Sequence, residues 1–237
     1  ILSLFITDHL LFSSDWNRKA FLKTERTKLS RTSCIKPAVW LSIDEGGEKR
    51  IVKDCASLPW WSRPMARFLL WREWRLLRKL RGMQNVPQLR ERIDKNAFCM
   101  SFLYGKPLTP ESFKLAPRRI ADELTFSVDK LHSCGVYHLD LRQRQNVLLG
   151  ESLSVKIIDF GAALSPWRPI SWVIAPALRW VDRSASLKYL ARFAPDELTL
   201  IEARDLYRRL WLRRVWFFSK HDSHDIKSVL EKRLGKK

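Results

Sequence analysis

The chain has 237 residues, 46% of them hydrophobic, which is enough to bury a real core in one compact two-lobed unit. Its 44 basic and 25 acidic residues leave a net charge of +19, which implies attraction to an anionic partner. Four cysteines without a C-x-x-C pair fit a reducing compartment, and the best uncharged run, residues 169–178, is too short for a membrane span of about 20 apolar residues.

The opening residues 1–6 lack an initiator Met and a basic flank, so a signal peptide is not supported. Residues 22–43 contain no glycine. A turn at Asp44-Glu45-Gly46-Gly47 then leads into Arg50-Ile51-Val52-Lys53, which alternates like a strand. A helix is predicted over about residues 64–81, with Leu69, Leu70, Leu76, Leu77 and Leu80 at helical spacing. Glu73 falls among these leucines, and a buried carboxylate without a partner is costly, so it needs a cation. On the rim of the helix, neighbouring Arg72 or Arg75 would serve; in the core, Lys53 would. At ~4 Å and an effective dielectric of ~20 such a pair gains roughly 4 kcal/mol of gross attraction before desolvation is subtracted. Residues 96–105 read as an apolar strand ended by Gly105.

The most informative stretch is residues 138–161: His138-Leu139-Asp140-Leu141, then Asn146-Val147-Leu148-Leu149, then a turn at Gly150-Glu151-Ser152 and a return strand ending at Asp159-Phe160-Gly161. A short hairpin brings its two ends together, and with them Asp140, Asn146 and Asp159. Clustered carboxylates and a carboxamide offer hard oxygen ligands for a divalent cation that holds phosphates, with one carboxylate left to orient a nucleophile.

These residues together resemble the catalytic loop and metal-binding Asp-Phe-Gly of protein-kinase-like phosphotransferases, whose pattern is H-R-D-x-x-x-x-N followed by D-F-G. The resemblance implies ATP and Mg²⁺ as cofactors. Asp140 would accept or orient the proton of the acceptor hydroxyl, and Arg142 would neutralise charge on the transferred phosphoryl group. Asn146 and Asp159 would hold Mg²⁺, and Lys53, fixed by Glu73, would hold the nucleotide phosphates. The strand at 96–105 would run into a hinge, with Met100 behind the adenine and Ser101, Phe102 and Leu103 along its edge. The sequence departs from the pattern in four ways. Five residues separate Asp140 from Asn146 where the pattern has four, so either the loop is longer by one or Gln145 takes the Asn position; Asn146 is preferred because it leads the strand. Leu139 replaces the arginine, which argues against control by activation-loop phosphorylation. No G-x-G-x-x-G precedes Lys53, and Ser30-Arg31-Thr32-Ser33 is the substitute phosphate cradle the sequence offers. No Ala-Pro-Glu follows Asp-Phe-Gly, and 76 residues follow Gly161, too few for the usual peptide platform. The chain is thus similar to compact members, the RIO-type kinases and the bacterial lipopolysaccharide kinases, over roughly residues 25–215.

The expected fold is α+β in two lobes of protein-kinase-like form: a small β-rich N-lobe with one helix (25–103), a reduced, mainly helical C-lobe (104–215) and a basic C-terminal tail (216–237). The expected activity is transfer of the γ-phosphate of ATP to a hydroxyl of a protein or of an anionic glycolipid sugar such as the lipopolysaccharide core. The alternative, favoured by the glycine-free loop, is a catalytically degenerate binding module for RNA, membrane or a partner protein. Arginines stud the helix at 63–81 and a second predicted helix at 203–214, whose core face is Ala203, Leu206, Tyr207, Leu210 and Trp211. With tryptophan interleaved among them, they suggest a membrane surface, a glycolipid or RNA as the anionic partner, and a cytoplasmic protein peripheral at the inner face of the membrane. His221 and His224 read as solvated tail residues.

Overall fold

The computed structural model describes residues 16–31, 33–208 and 223–235. The chain is α+β and divides into two compact units at Tyr104/Gly105. Three of the basic residues expected on a helix at 203–214, Arg209, Arg213 and Arg214, lie outside the described residues, as do Leu210, Trp211, Thr32 and His221.

The first unit is a five-stranded antiparallel sheet with a helix packed on each face. Its elements are α1 (Arg18–Lys23), β1 (Glu25–Lys28), β2 (Ala38–Ile43), β3 (Lys49–Asp54), α2 (Arg63–Lys79), β4 (Leu89–Asp94) and β5 (Ala97–Ser101), with strand order β1-β2-β3-β5-β4. The turn into β3 is set by Asp44, whose side chain accepts from the amides of Gly46 and Glu48, and by Gly47, whose φ of 77° suits a residue without a Cβ. Alternation along β3 then sends Val52 to one face and Lys53 to the other. Val52 packs with Phe21 of α1, Ile93, Ala97 and Cys99. Lys53 meets α2, which buries Ala66, Leu70, Glu73, Leu76 and Leu77. Covered on both faces, β5 is buried at Ala97, Phe98, Cys99 and Met100 without alternation.

The sequence reading gave this unit one helix. The second, α1, is short, but Asn17 caps it by accepting from the amides of Lys19 and Ala20, and Arg18 fastens it to the sheet with hydrogen bonds to both Asp54 and Asp94. A six-residue helix is too brief for periodicity to reveal, and it is held by these long-range contacts.

The second unit comprises β6 (Lys106–Pro107), α3 (Pro110–Lys114), α4 (Pro117–Ser133), β7 (Val147–Leu149), β8 (Val155–Ile157), α5 (Arg168–Phe193), α6 (Leu200–Arg208) and α7 (Ser223–Arg233). The predicted hairpin is present: β7 pairs antiparallel with β8, Val147 opposite Ile157 and Leu149 opposite Val155, and β6 adds a third strand. Gly105 enters this sheet against β7, where a Cβ would stand 3.0 Å from the Leu149 carbonyl oxygen, so the close approach needs glycine. The uncharged run at 169–178 is the first part of the 26-residue α5, and among the described residues no helix is long and apolar enough to cross a membrane. On α6, Ala203 and Leu206 are buried as expected, and Thr199 and Glu202 exchange bonds as a capping box. Within the expected basic tail, residues 223–233 form α7, where Ile226 and Leu230 sit four apart and are both buried.

Phe21 is fully buried under the sheet, so Phe21→Ala should destabilise the first unit by ~3–5 kcal/mol. Urea unfolding followed by circular dichroism measures this. A loss near zero would mean that α1 is dispensable.

Candidate active site

In the first unit, Lys53 sits on a central strand, opposite Val39 of β2 and Phe98 of β5. Its Nζ donates to both carboxylate oxygens of Glu73, at 2.7 and 2.9 Å, and both residues are buried. Glu73 therefore takes its cation from the sheet and not from Arg72 or Arg75 of its own helix. A buried pair of this kind gains little net stability, because desolvation consumes most of the attraction. Met100, on β5 opposite Ile51, is buried. Ser101 ends the strand, and its hydroxyl accepts from the Gln88 amide. Phe102 and Leu103 follow in irregular backbone, where Phe102 meets Tyr104 edge to face and the Lys49 ammonium lies over both rings.

The connection between β1 and β2 carries the described residues of the expected substitute cradle, Ser30, Arg31 and Ser33. The Ser30 hydroxyl accepts from the Val39 amide, and the Ser33 hydroxyl accepts from the amides of Ile35 and Lys36. These bonds use the oxygens of Ser30 and Ser33 as acceptors for backbone amides, and the amides of Leu29 and Ser30 bond the Val39 carbonyl.

In the second unit, Asp140 is held from below. The Asn146 side-chain amide donates to the Asp140 carbonyl at 3.0 Å and to its Oδ2 at 3.2 Å, and Gln143 donates to the same Oδ2 at 2.6 Å. Both bonds to the carboxylate fall on one oxygen, which leaves Oδ1 directed elsewhere. Asn146 is buried at the entry to β7, whereas Gln145 is exposed, so the longer-loop register is the one in which the amide meets Asp140. With both amide hydrogens of Asn146 on Asp140, its carbonyl Oδ1 is the atom open to a cation. Asp159 ends the hairpin in the left-handed region (φ 64°, ψ 77°), exposed, its side chain accepting from the Gly161 amide at 3.3 Å. Two hard carboxylates and a carboxamide oxygen fit Mg²⁺ in kind, with water completing the shell. Among the described residues there is no group of three or more His, Cys, Asp or Glu that could hold a metal, so the amide oxygen would be an integral part of any such set. Arg142 is half-buried two residues beyond Asp140.

The loop that carries Asp140 is anchored by residues the sequence reading did not single out. Asp182 of α5, fully buried, accepts from the backbone amides of His138 (2.8 Å) and Leu139 (2.6 Å) and from the His132 ring at 3.0 Å. Tyr189, seven residues later and so two turns along the same face, donates its hydroxyl to the Leu141 carbonyl. Leu139 has a φ of 65°, a conformation that costs of order 1–3 kcal/mol in a residue with a Cβ. Two hydrogen bonds to a carboxylate, about 1.5–3 kcal/mol each, more than offset that strain. His138 ties the loop to the hairpin: its Nε2 donates to the Ile158 carbonyl, its Nδ1 accepts from the Asp140 amide, and its ring meets Phe160 edge to face. Burial pushes this imidazole below its ordinary pKa of 6.5, and the nearby Asp182, Asp159 and Asp140 carboxylates do not overcome it. A signal for Asp182 was present in the sequence. Leu178, Asp182, Ala185 and Tyr189 lie at helical spacing, so Asp182 interrupts an apolar stripe as Glu73 does.

Buried Cys55 and Cys99 carry free thiols, and burial pushes that of Cys99 up to about 12, so it is inert as a nucleophile. The His224 side chain lies outside the described residues.

No protein-family model matches this chain, and no curated protein matches its sequence.

Two outcomes are expected. Asp182→Ala leaves two buried amides and a histidine without an acceptor and should cost ~3–5 kcal/mol in chemical denaturation, with Asp182→Asn costing less because one oxygen acceptor remains. His138 binds its proton more weakly folded than unfolded, so the unfolded state takes up protons first as pH falls below 6.5. Stability should therefore decline between pH 6.5 and 5, by at most about 1.4 kcal/mol per pH unit from this group. Melting curves for wild type and His138→Gln across that window should differ in slope, and equal slopes would assign the decline elsewhere.

Proposed function

We propose that the chain is a compact ATP-dependent kinase of protein-kinase-like fold that transfers the γ-phosphate of ATP to a hydroxyl. The observation that carries this reading is the Asp140 loop. A carboxylate is held by two side-chain amides on one oxygen, with the other oxygen left open, at the head of a hairpin that ends in a second carboxylate, Asp159. In this reading Asp140 Oδ1 takes the proton of the acceptor hydroxyl as the new O–P bond forms, and the bond to the departing ADP breaks. Arg142 offsets charge on the transferred group. Asn146 Oδ1 and Asp159 hold Mg²⁺, which when bound neutralises the phosphates. Lys53, oriented by Glu73, holds the nucleotide's phosphates, while Met100 to Leu103 line the base. Support for the Lys53 role comes from its burial: an ion pair that contributes little to stability is more readily understood as a site than as a staple. The acceptor is a protein Ser/Thr hydroxyl or a sugar hydroxyl of an anionic glycolipid.

A second reading, a degenerate kinase that binds without transferring phosphate, is favoured by the β1–β2 connection, which has no glycine.

The test is a thermal shift with ATP and Mg²⁺, followed by phosphotransfer with labelled ATP on protein and glycolipid fractions. Wild type should be stabilised by ATP with Mg²⁺, and Asp159→Asn should lose that shift while keeping its fold. Asn146→Ala should lower phosphotransfer more than Gln145→Ala. A well-folded Asp159→Asn that binds nucleotide like wild type would overturn the metal assignment. Nucleotide binding without transfer to any fraction would favour the second reading.

A further inference from the structure

We propose that the outer face of α2 is a docking surface for an anionic lipid bilayer. The inward face of this helix is complete: Ala66, Leu70, Leu76 and Leu77 are buried, with Glu73 on Lys53. The outward face is not the usual polar stripe. Met65, Phe68 and Trp71 follow one another at helical spacing and are exposed, and Trp60 and Trp61 extend the patch in the turn before the helix. Phe68 is 52% exposed and Trp60 81%. The same face continues towards the C-terminal end as Arg75, Arg78, Lys79 and Arg81, all exposed. Arg75 lies over the Trp71 ring at 4.8 Å, which joins the apolar half to the cationic half.

Charge complementarity names the occupant. From Cys55 to Arg90 the only acidic residue is Glu73, and it is buried, so the helix and its flanking turns present no carboxylate of their own to solvent. A partner must be anionic over the basic half and accept aromatic and aliphatic side chains over the other. A bilayer with acidic headgroups meets both needs: tryptophan and phenylalanine settle at the headgroup–acyl boundary while arginines engage the phosphates. RNA would match the cations and could stack on tryptophan, but it offers nothing apolar to Met65. The surface is independent of phosphotransfer, since none of these side chains belongs to the candidate site.

Flotation of the full chain with vesicles of phosphatidylcholine, with and without phosphatidylglycerol, tests the proposal. Binding should require phosphatidylglycerol and weaken as added salt shortens the Debye length from ~10 Å at 0.1 M to ~3 Å at 1 M. Trp61→Ser/Phe68→Ser should weaken partition about tenfold. Arg75→Glu/Arg78→Glu should weaken it at least about 25-fold, from about fivefold per cation removed. Lys114→Glu/Arg179→Glu makes the same change in net charge at exposed positions of the second unit and should weaken binding less than about threefold. Circular dichroism checks that each variant is folded, and Trp60→Ser, at the most exposed position, replaces any that is not. Three results would overturn the assignment: no flotation on anionic vesicles at low salt, equal loss in the control pair, or a gel shift with structured RNA that the α2 variants abolish while flotation persists.

Discussion

Asp182 is the residue on which the second unit turns. A single buried carboxylate in the middle of a long helix takes hydrogen bonds from two consecutive backbone amides and from a histidine of the neighbouring helix. Those bonds make a left-handed leucine tolerable immediately before Asp140. His138 then carries the constraint onward to Ile158, immediately before Asp159. The two candidate carboxylates thus owe their placement to a third that takes no part in chemistry.

The molecule handles buried charge in two different ways. In the first unit a cation answers the anion directly, Lys53 of a strand to Glu73 on a helix whose other buried residues are apolar. In the second, neutral amide dipoles converge on Asp182 and provide by geometry what a counter-ion provides by charge. The first arrangement ties one strand to one helix through a bond between side chains. The second fixes backbone and leaves nothing to spare, which is the behaviour expected of a scaffold.

How far the sequence could be read follows from the range of the forces involved. The β7–β8 hairpin, β3, α2 and the Glu73 partner were legible because alternation, helical spacing and one misplaced carboxylate are local signals. The place of Asn146 at the head of β7 was legible for the same reason, since an apolar run follows it. Asp182 obeyed the rule that exposed Glu73, but it sits in a segment whose uncharged run drew attention to membrane spanning instead of helix packing. Helix α1 left no periodic trace, because its stability comes from Phe21 under the sheet and Arg18 reaching 36 and 76 residues away. That the Ser33 hydroxyl accepts from amides two and three residues on, and the Ser30 hydroxyl from Val39 nine residues on, was not legible, because nothing in a polar loop marks which amide a hydroxyl will meet.

The two-turn interval between Asp182 and Tyr189 bears on how such a chain can diverge. One inserted or deleted residue between them rotates one contact by about 100° around the helix relative to the other, so the carboxylate and the hydroxyl can no longer both face the loop. Substitutions on the outer surface of that interval are harmless by comparison. Length, more than composition, is therefore the invariant expected of residues 182–189, and a lineage that changed it would have to surrender Asp140 as well.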